Sequence, residues 1–261
     1  MRTIEIAINQ ANLAEVLAVV AVAGITGTID ADAQLSWESP GCRLHTERSE
    51  AEVLEAVWAG LADFRWIQSP GETYEGLFSA NAVHGGTVIL GMNPFVGLRN
   101  PNKAGLLKNF SAKTTAENIH GNLRDGLGTC PASLEQLFGR VARIGSTWSY
   151  DARSVGHALD VGYSTDAEKS TKSNPMYVAV DMLSVMALSC FLPAHALISG
   201  NAAISYFLWD ARSPVSLLPL LFTGLVEGIP ARKYTVIRRS KAYGTGRSYR
   251  YWPPAYLEAQ Y

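Results

Sequence analysis

Two stretches of this chain combine residue types that suit a polyanion. The first is the tail 232–252, RKYTVIRRSKAYGTGRSYRYW, in which arginine and lysine are interleaved with Tyr234, Tyr243, Tyr249, Tyr251 and Trp252. Cations neutralise phosphates, and aromatic faces stack on bases. Gly244 and Gly246 would let a loop approach a nucleic acid closely. Arg238, Arg239, Lys241, Tyr243, Arg247 and Arg250 are the candidate contacts here, whereas Tyr249, Tyr251 and Trp252 read as core residues of a C-terminal hairpin. The second stretch is central and carries Arg99, Lys103, Lys108, Lys113, Arg124, Arg140, Arg143 and Arg153. Its loop 91–105, GMNPFVGLRNPNKAG, brings Asn102 and Lys103 near Lys108 and Asn109. Cations there would supply charge, while amides, hydroxyls and backbone N–H groups fix register on a phosphate backbone. The candidate contacts of this segment are Arg99, Asn102, Lys103, Lys108, Asn109, Lys113, Arg124 and Arg153.

Other chemistries find little support. His45, His84, His120, His157 and His195 are isolated, with no helical metal spacing and no His–Asp dyad. Cys42, Cys130 and Cys190 form neither a CxxC pair nor an even disulfide set, so a reducing cytoplasm is expected. The GxSxG, P-loop and GxGxxG patterns are absent, and neither a metal nor a cofactor is expected. Asp151, Arg153, Asp160 and Asp181 could be offered as acid–base residues, but buried ion pairing is the commoner use of such groups.

A hydrophobic content of 48% and a charged content of 17% fit a folded chain rather than a disordered one. The formal net charge of −1 conceals a strong division. Residues 1–90 hold 4 Lys+Arg against 12 Asp+Glu, and 91–155 hold 8 against 4. Residues 156–229 hold 3 against 6, and 230–261 hold 7 against 1. That asymmetry points the basic parts at a polyanion. The apolar stretch 176–209 is broken by Asp181, Pro193, His195 and Asn201, so it reads as buried structure and not as a membrane span.

The elements that must position these residues follow from periodicity. Residues 3–8 alternate as a strand, and Asn12 is placed to cap an all-round apolar helix over 13–23 that Gly24 and Gly27 end. A hairpin is expected over 34–38 and 42–46, turned at Ser39-Pro40-Gly41, and Ser49 should cap a helix over 50–62. Further expectations are a strand at 87–90, helices at 112–123 and 133–144, extended chain around 155–161, and an apolar helix from Pro175 that stops before Pro193. Strands are expected at 202–209 and 233–239, with a loop-like end to the chain. Strands and helices mix without βαβ alternation, which predicts an α+β fold with mixed, mostly antiparallel sheets and packed helices, and no Rossmann or barrel pattern. An acidic lobe at 1–90 and a basic one at 91–261 are expected, or one domain spanning both.

The stretch WSYDARSVGHALDVGYS at 148–164, followed by the apolar helix from Pro175, resembles one CRISPR-associated family. This is the small Cas8-type (large-subunit) family of type I-U interference complexes, also described as the Csx or Csb group. The likeness lies in an aromatic–Asp–x–Arg–Ser run followed by Ala-Leu-Asp-x-Gly-aromatic-Ser. In the same order, IEIAINQANLAEVLAVVAVAGI at 4–25 resembles the family's opening strand, Asn-containing loop and apolar helix. LLKNFSAKTTAENI at 106–119 resembles its Leu-Lys segment before a helix, and the Tyr-Trp-Pro-Pro tail fits loosely. The first helix departs in being Val/Ala-rich, and 97–103 replaces an aromatic cluster.

The resemblance implies a cytoplasmic subunit of a crRNA-guided surveillance (Cascade) complex, with no chemistry of its own. Its implied partners are crRNA and target DNA, the backbone and guide-end-capping subunits, and a helicase-nuclease, with no membrane involved. Such a protein would contact the duplex flanking the target, where the short protospacer-adjacent motif is read, and help to separate the strands. A guide-RNA-coating backbone subunit and an enzyme acting on a small molecule or nucleotide are the alternatives.

Overall fold

The computed structural model describes residues 1–68, 76–79, 96–97, 100–104, 116–143, 150–153, 176–190, 194–199, 201–226, 228–243, 247–251 and 253–260. In chain order the elements begin with β1 (Arg2–Ile6), α1 (Leu13–Ile29), β2 (Gln34–Trp37), β3 (Cys42–Thr46), α2 (Glu50–Asp63), β4 (Arg65–Gln68), β5 (Gly76–Ser79), β6 (Val96–Gly97) and β7 (Asn100–Ala104). They continue with α3 (Ala116–Leu127), α4 (Leu134–Gly139), α5 (Val178–Cys190), β8 (Ala194–Ile198), β9 (Asn201–Trp209), β10 (Ser213–Pro214) and α6 (Leu218–Thr223). Last come β11 (Ala231–Ile237), β12 (Arg239–Tyr243), β13 (Arg247–Tyr251) and β14 (Tyr256–Gln260).

The fold is α+β, as its sequence predicts. One four-stranded sheet has the order β1-β3-β2-β10 and another the order β14-β11-β9-β8. Every pairing between their strands is antiparallel, and among the described residues no barrel closes. β10 comes from the second half of the chain yet completes the sheet begun by β1, and one apolar cluster runs from Ile4 to Ala255.

α1 lies at the centre of that core and packs along α5. It continues through Gly24 and Gly27 to Ile29, six residues beyond the expected end at residue 23. The reason is burial. An interior glycine costs about 1 kcal/mol relative to alanine, while each buried Val, Leu or Ile contributes about 1.5–3 kcal/mol. Leu13, Val16, Leu17, Val19, Val20, Val22 and Ile25 are all buried. Gly27 is there for close approach: a Cβ on it would come within 2.7 Å of Val215 Cγ2.

The β2–β3 hairpin forms where its turn residues predict. Gly41 has φ +123°, and a Cβ there would meet the Ile6 carbonyl oxygen at 2.6 Å. Ser49 and Glu52 close the capping box of α2. α4 stops at Gly139, well short of the expected 144, and Ala142 pairs with Met176 in an isolated bridge. His120 sits edge-on to Phe64 and its Nε2 lies 2.8 Å from the Phe64 carbonyl oxygen, which ties α3 to the end of α2; burial lowers its pKa. The segment 91–105 contains the short β6–β7 hairpin instead of loop alone, and the chain end forms β14. The expected strand at 87–90 and the extended chain at 155–161 lie outside the described residues. No helix among the described residues is long and apolar enough to cross a membrane.

The two large sheets meet through the loop between β1 and α1. Gln10 Nε2 donates to the carbonyl oxygens of Glu38 (3.0 Å) and Gly41 (2.7 Å) in the first sheet's hairpin. Its Oε1 accepts from Arg232 Nη1 (2.7 Å) on β11, and its main-chain carbonyl accepts from Tyr206 Oη (2.8 Å) on β9. Tyr206 is stacked between Tyr234 and Phe222, and Trp37 meets Trp209 edge-on at 6.0 Å. Removing one partner from buried hydrogen bonds leaves the others unsatisfied at about 1–3 kcal/mol each. Gln10→Ala is therefore expected to lower the unfolding free energy by about 2–4 kcal/mol in urea denaturation. A loss below about 0.5 kcal/mol would remove Gln10 from this role.

Candidate nucleic-acid interface

The basic tail is built as a two-stranded ribbon that grows out of the second sheet. β11 pairs with β9 from Ala231↔Trp209 to Ile237↔Ala203, and Arg238 N extends this ladder by donating to the Ala202 carbonyl oxygen at 2.7 Å. β12 begins at the next residue. On the return arm, β14 pairs with β11, and Ala255 N donates to the Ala11 carbonyl oxygen at 2.7 Å. Among the described residues, β12 and β13 pair only with each other. An isolated hairpin is marginal in water, so the tip depends on the anchored base below it.

Register decides which residues share a face. The pairs are Arg239↔Tyr251, Ser240↔Arg250, Lys241↔Tyr249, Ala242↔Ser248 and Tyr243↔Arg247. Directly opposed residues lie on the same face of a ribbon, and faces alternate along each strand. One face thus takes Arg239, Lys241, Tyr243, Arg247, Tyr249 and Tyr251, while Ser240, Ala242, Ser248 and Arg250 take the other. Tyr249 and Tyr251, expected in the core, hold register positions opposite Lys241 and Arg239. Arg250, expected beside Arg239, Lys241 and Arg247 as a contact, belongs to the opposite face of the ribbon. The signal that separates them is the Gly-Thr-Gly run at 244–246, flanked by two alternating five-residue strands.

Between Glu227 and Glu258 there are seven cations and no acidic residue. Those at the base are already partnered. Arg232 pairs with Asp210 (2.8 Å), and Lys233 pairs with Glu258 (2.5 Å), holding that carboxyl below its usual range. Arg238 is half-buried, and its charge works against the burial that raises the Tyr150 pKa. Arg239, the first residue of β12, is exposed.

The central cations divide differently. Asn102 and Lys103 lie on β7, which pairs with β6. Arg99, Lys108, Asn109 and Lys113 lie outside the described residues. Arg124 is exposed in the last turn of α3, where a cation complements the helix dipole. Arg140 donates to the carbonyl oxygens of Leu127 and Thr129, and its guanidinium lies 5.9 Å from the Trp58 ring centre. Those among the described residues do not pair with β12 or β13.

Arg153 is the clearest revision. Its Nη2 lies 2.7 Å from Asp151 Oδ2, its Nη1 lies 3.1 Å from Glu15 Oε1, and its guanidinium covers the Tyr177 ring at 3.5 Å. Burial opposes its charge, but Asp151 and Glu15 outweigh it and hold the proton more tightly than in an ordinary arginine. Burial raises the Glu15 pKa, although Arg153 pulls it down. Asn12 joins the group, donating from Nδ2 to Asp151 Oδ1 and Glu15 Oε2 at 2.9 Å each, and accepting at Oδ1 from Ala152 N at 3.1 Å. Arg153 thus ties 151–153 to the start of α1 through ion pairing with buried carboxylates, the commoner use of such groups, and its donors are engaged within the fold. Asp181 is buried on α5, and Asp160 lies outside the described residues.

Arg153→Met should cost about 3–5 kcal/mol of stability, because it strands two buried carboxylates. The exposed Arg124→Ala should stay within about 0.5 kcal/mol. Urea denaturation of both variants tests this, and near-equal losses would return Arg153 to the surface.

Comparison with protein-family models, curated proteins and solved structures found no match for this chain.

Proposed function

We propose that this chain is a non-catalytic, nucleic-acid-binding subunit that uses the β12–β13 ribbon as its contact element. The observation that carries the reading is the ribbon's register, which gathers Arg239, Lys241 and Arg247 on one face, within a segment free of acidic residues. Cations that neutralise phosphates release counterions from the nucleic-acid backbone, and that release dominates affinity for nucleic acids. The resemblance at 148–164 supplies the setting: a cytoplasmic crRNA-guided interference complex, with crRNA and target DNA as ligands, neighbouring Cascade subunits as protein partners, and a separate helicase-nuclease for the cutting. The acidic residues of 1–90 suit contacts with basic protein neighbours more than with nucleic acid.

Fluorescence anisotropy with a labelled oligonucleotide of about 20 nucleotides, the length of a guide heteroduplex, tests the reading across a salt series. Affinity should fall steeply with salt, and Arg239→Gln, Lys241→Gln and Arg247→Gln should each lower the log–log slope by about 0.7–0.9. Arg250→Gln, on the opposite face, should lower it by less than half as much. Binding that is absent or independent of salt would overturn the proposal, and an Arg250 effect equal to the others would overturn the face assignment.

A further inference from the structure

We infer that the β12–β13 face takes single-stranded nucleic acid in preference to duplex; the inference rests on the proposed role of the ribbon in binding nucleic acid. Each cross-strand pair on that face joins one cation to one tyrosine: Arg239 with Tyr251, Lys241 with Tyr249, and Arg247 with Tyr243. Two files result along most of the ribbon. β12 supplies Arg239 and Lys241, and β13 supplies Tyr251 and Tyr249, with the two files exchanged at the last pair before the turn. Neighbouring strands lie about 4.8 Å apart. A single strand laid along the ribbon therefore has a row of cationic positions for its phosphates beside a row of aromatic positions for its bases.

Spacing favours the same occupant. Tyr249 and Tyr251 are two residues apart on one strand, a separation of about 6.8 Å. Bases in a duplex strand are stacked at about 3.4 Å. The tyrosine interval is thus two stacking steps, which leaves room for one base that is not already stacked. A duplex has no such base to offer without paying for unstacking. Stacking on an aromatic residue is worth about 1–3 kcal/mol per base and tolerates any sequence.

The composition also argues against duplex reading. A two-stranded ribbon fits a major groove, but base edges there are read by Arg, Lys, Asn and Gln. Residues 239–251 contain no Asn or Gln, and three of the six positions on the cationic face are tyrosine. Such a face can hold phosphates of either form, yet its aromatic half is used only by unpaired bases.

The test is anisotropy with the full chain and three probes of equal length: single-stranded DNA, single-stranded RNA and duplex DNA. At least one single strand should bind about 10-fold or more tightly than the duplex. Tyr249→Leu and Tyr251→Leu should each weaken single-strand binding by about 5- to 150-fold, the range that stacking energies give. Duplex binding should change less than about 2-fold, and Tyr249→Phe and Tyr251→Phe should restore single-strand affinity. Preference between the DNA and RNA single strands identifies the source as a displaced strand or a guide. Tighter binding to duplex, or equal losses on all three probes, overturns the inference while the ribbon's role in binding nucleic acid stands. Binding to none of the probes overturns that role, and the inference with it.

Discussion

The polar loop between β1 and α1 is where the parts of this protein are joined. Four residues, 9–12, bond in several directions at once. Gln10 holds the hairpin of the first sheet and β9 and β11 of the second. The carbonyl of Ala11 receives Ala255 from the chain end. Asn12 caps α1 and binds Asp151 and Ala152. Apolar burial supplies most of the driving force for folding, but it is non-directional. The hydrogen bonds of this loop are directional, and they fix how the sheets meet around α1. Buried polar networks of this kind are costly when half-satisfied, so each member constrains the others.

That same loop sets the base of the ribbon. Arg232 on β11 and Ala255 just before β14 are the two arms from which β12 and β13 extend, and both are bonded to residues 10 and 11. The base cations Arg232 and Lys233 are matched by Asp210 and Glu258, so their charge is largely spent within the fold. Charge without nearby acidic residues in sequence begins at Arg238 and runs to Arg250. The fold thus neutralises the root of one basic tail. Net charge along a sequence does not show this, because it depends on residues such as Asp210 that arrive from elsewhere in the chain.

Much of the fold was legible where local chemistry acts alone. Ser39-Pro40-Gly41 marked its hairpin, Ser49 marked the start of α2, and Asn12 marked the start of α1. The end of α1 was not legible, because Gly24 and Gly27 read as terminators until Val215, nearly two hundred positions away, packs on the second of them. β10 was invisible for a similar reason: two residues, one of them proline, join a sheet only because β2 offers an edge. At the candidate site, the cations and the possibility of a hairpin were both apparent. The partition of the tyrosines was not, since it depends on register, and a slip of one residue moves every side chain to the other face. Arg153 shows the converse limit. Its charge puts it with the phosphate contacts and its type also allows buried ion pairing, but Glu15, distant in sequence, is a partner that spacing does not reveal.

The ribbon and the central segment make opposite claims on where nucleic acid lies, and ultraviolet cross-linking of a bound oligonucleotide to the full chain separates them most directly. After digestion, mass spectrometry should find the nucleotide adducts on peptides within 239–251, with tyrosines 249 and 251 among the modified positions. Adducts confined to residues 98–115, with none on the ribbon, would contradict the account.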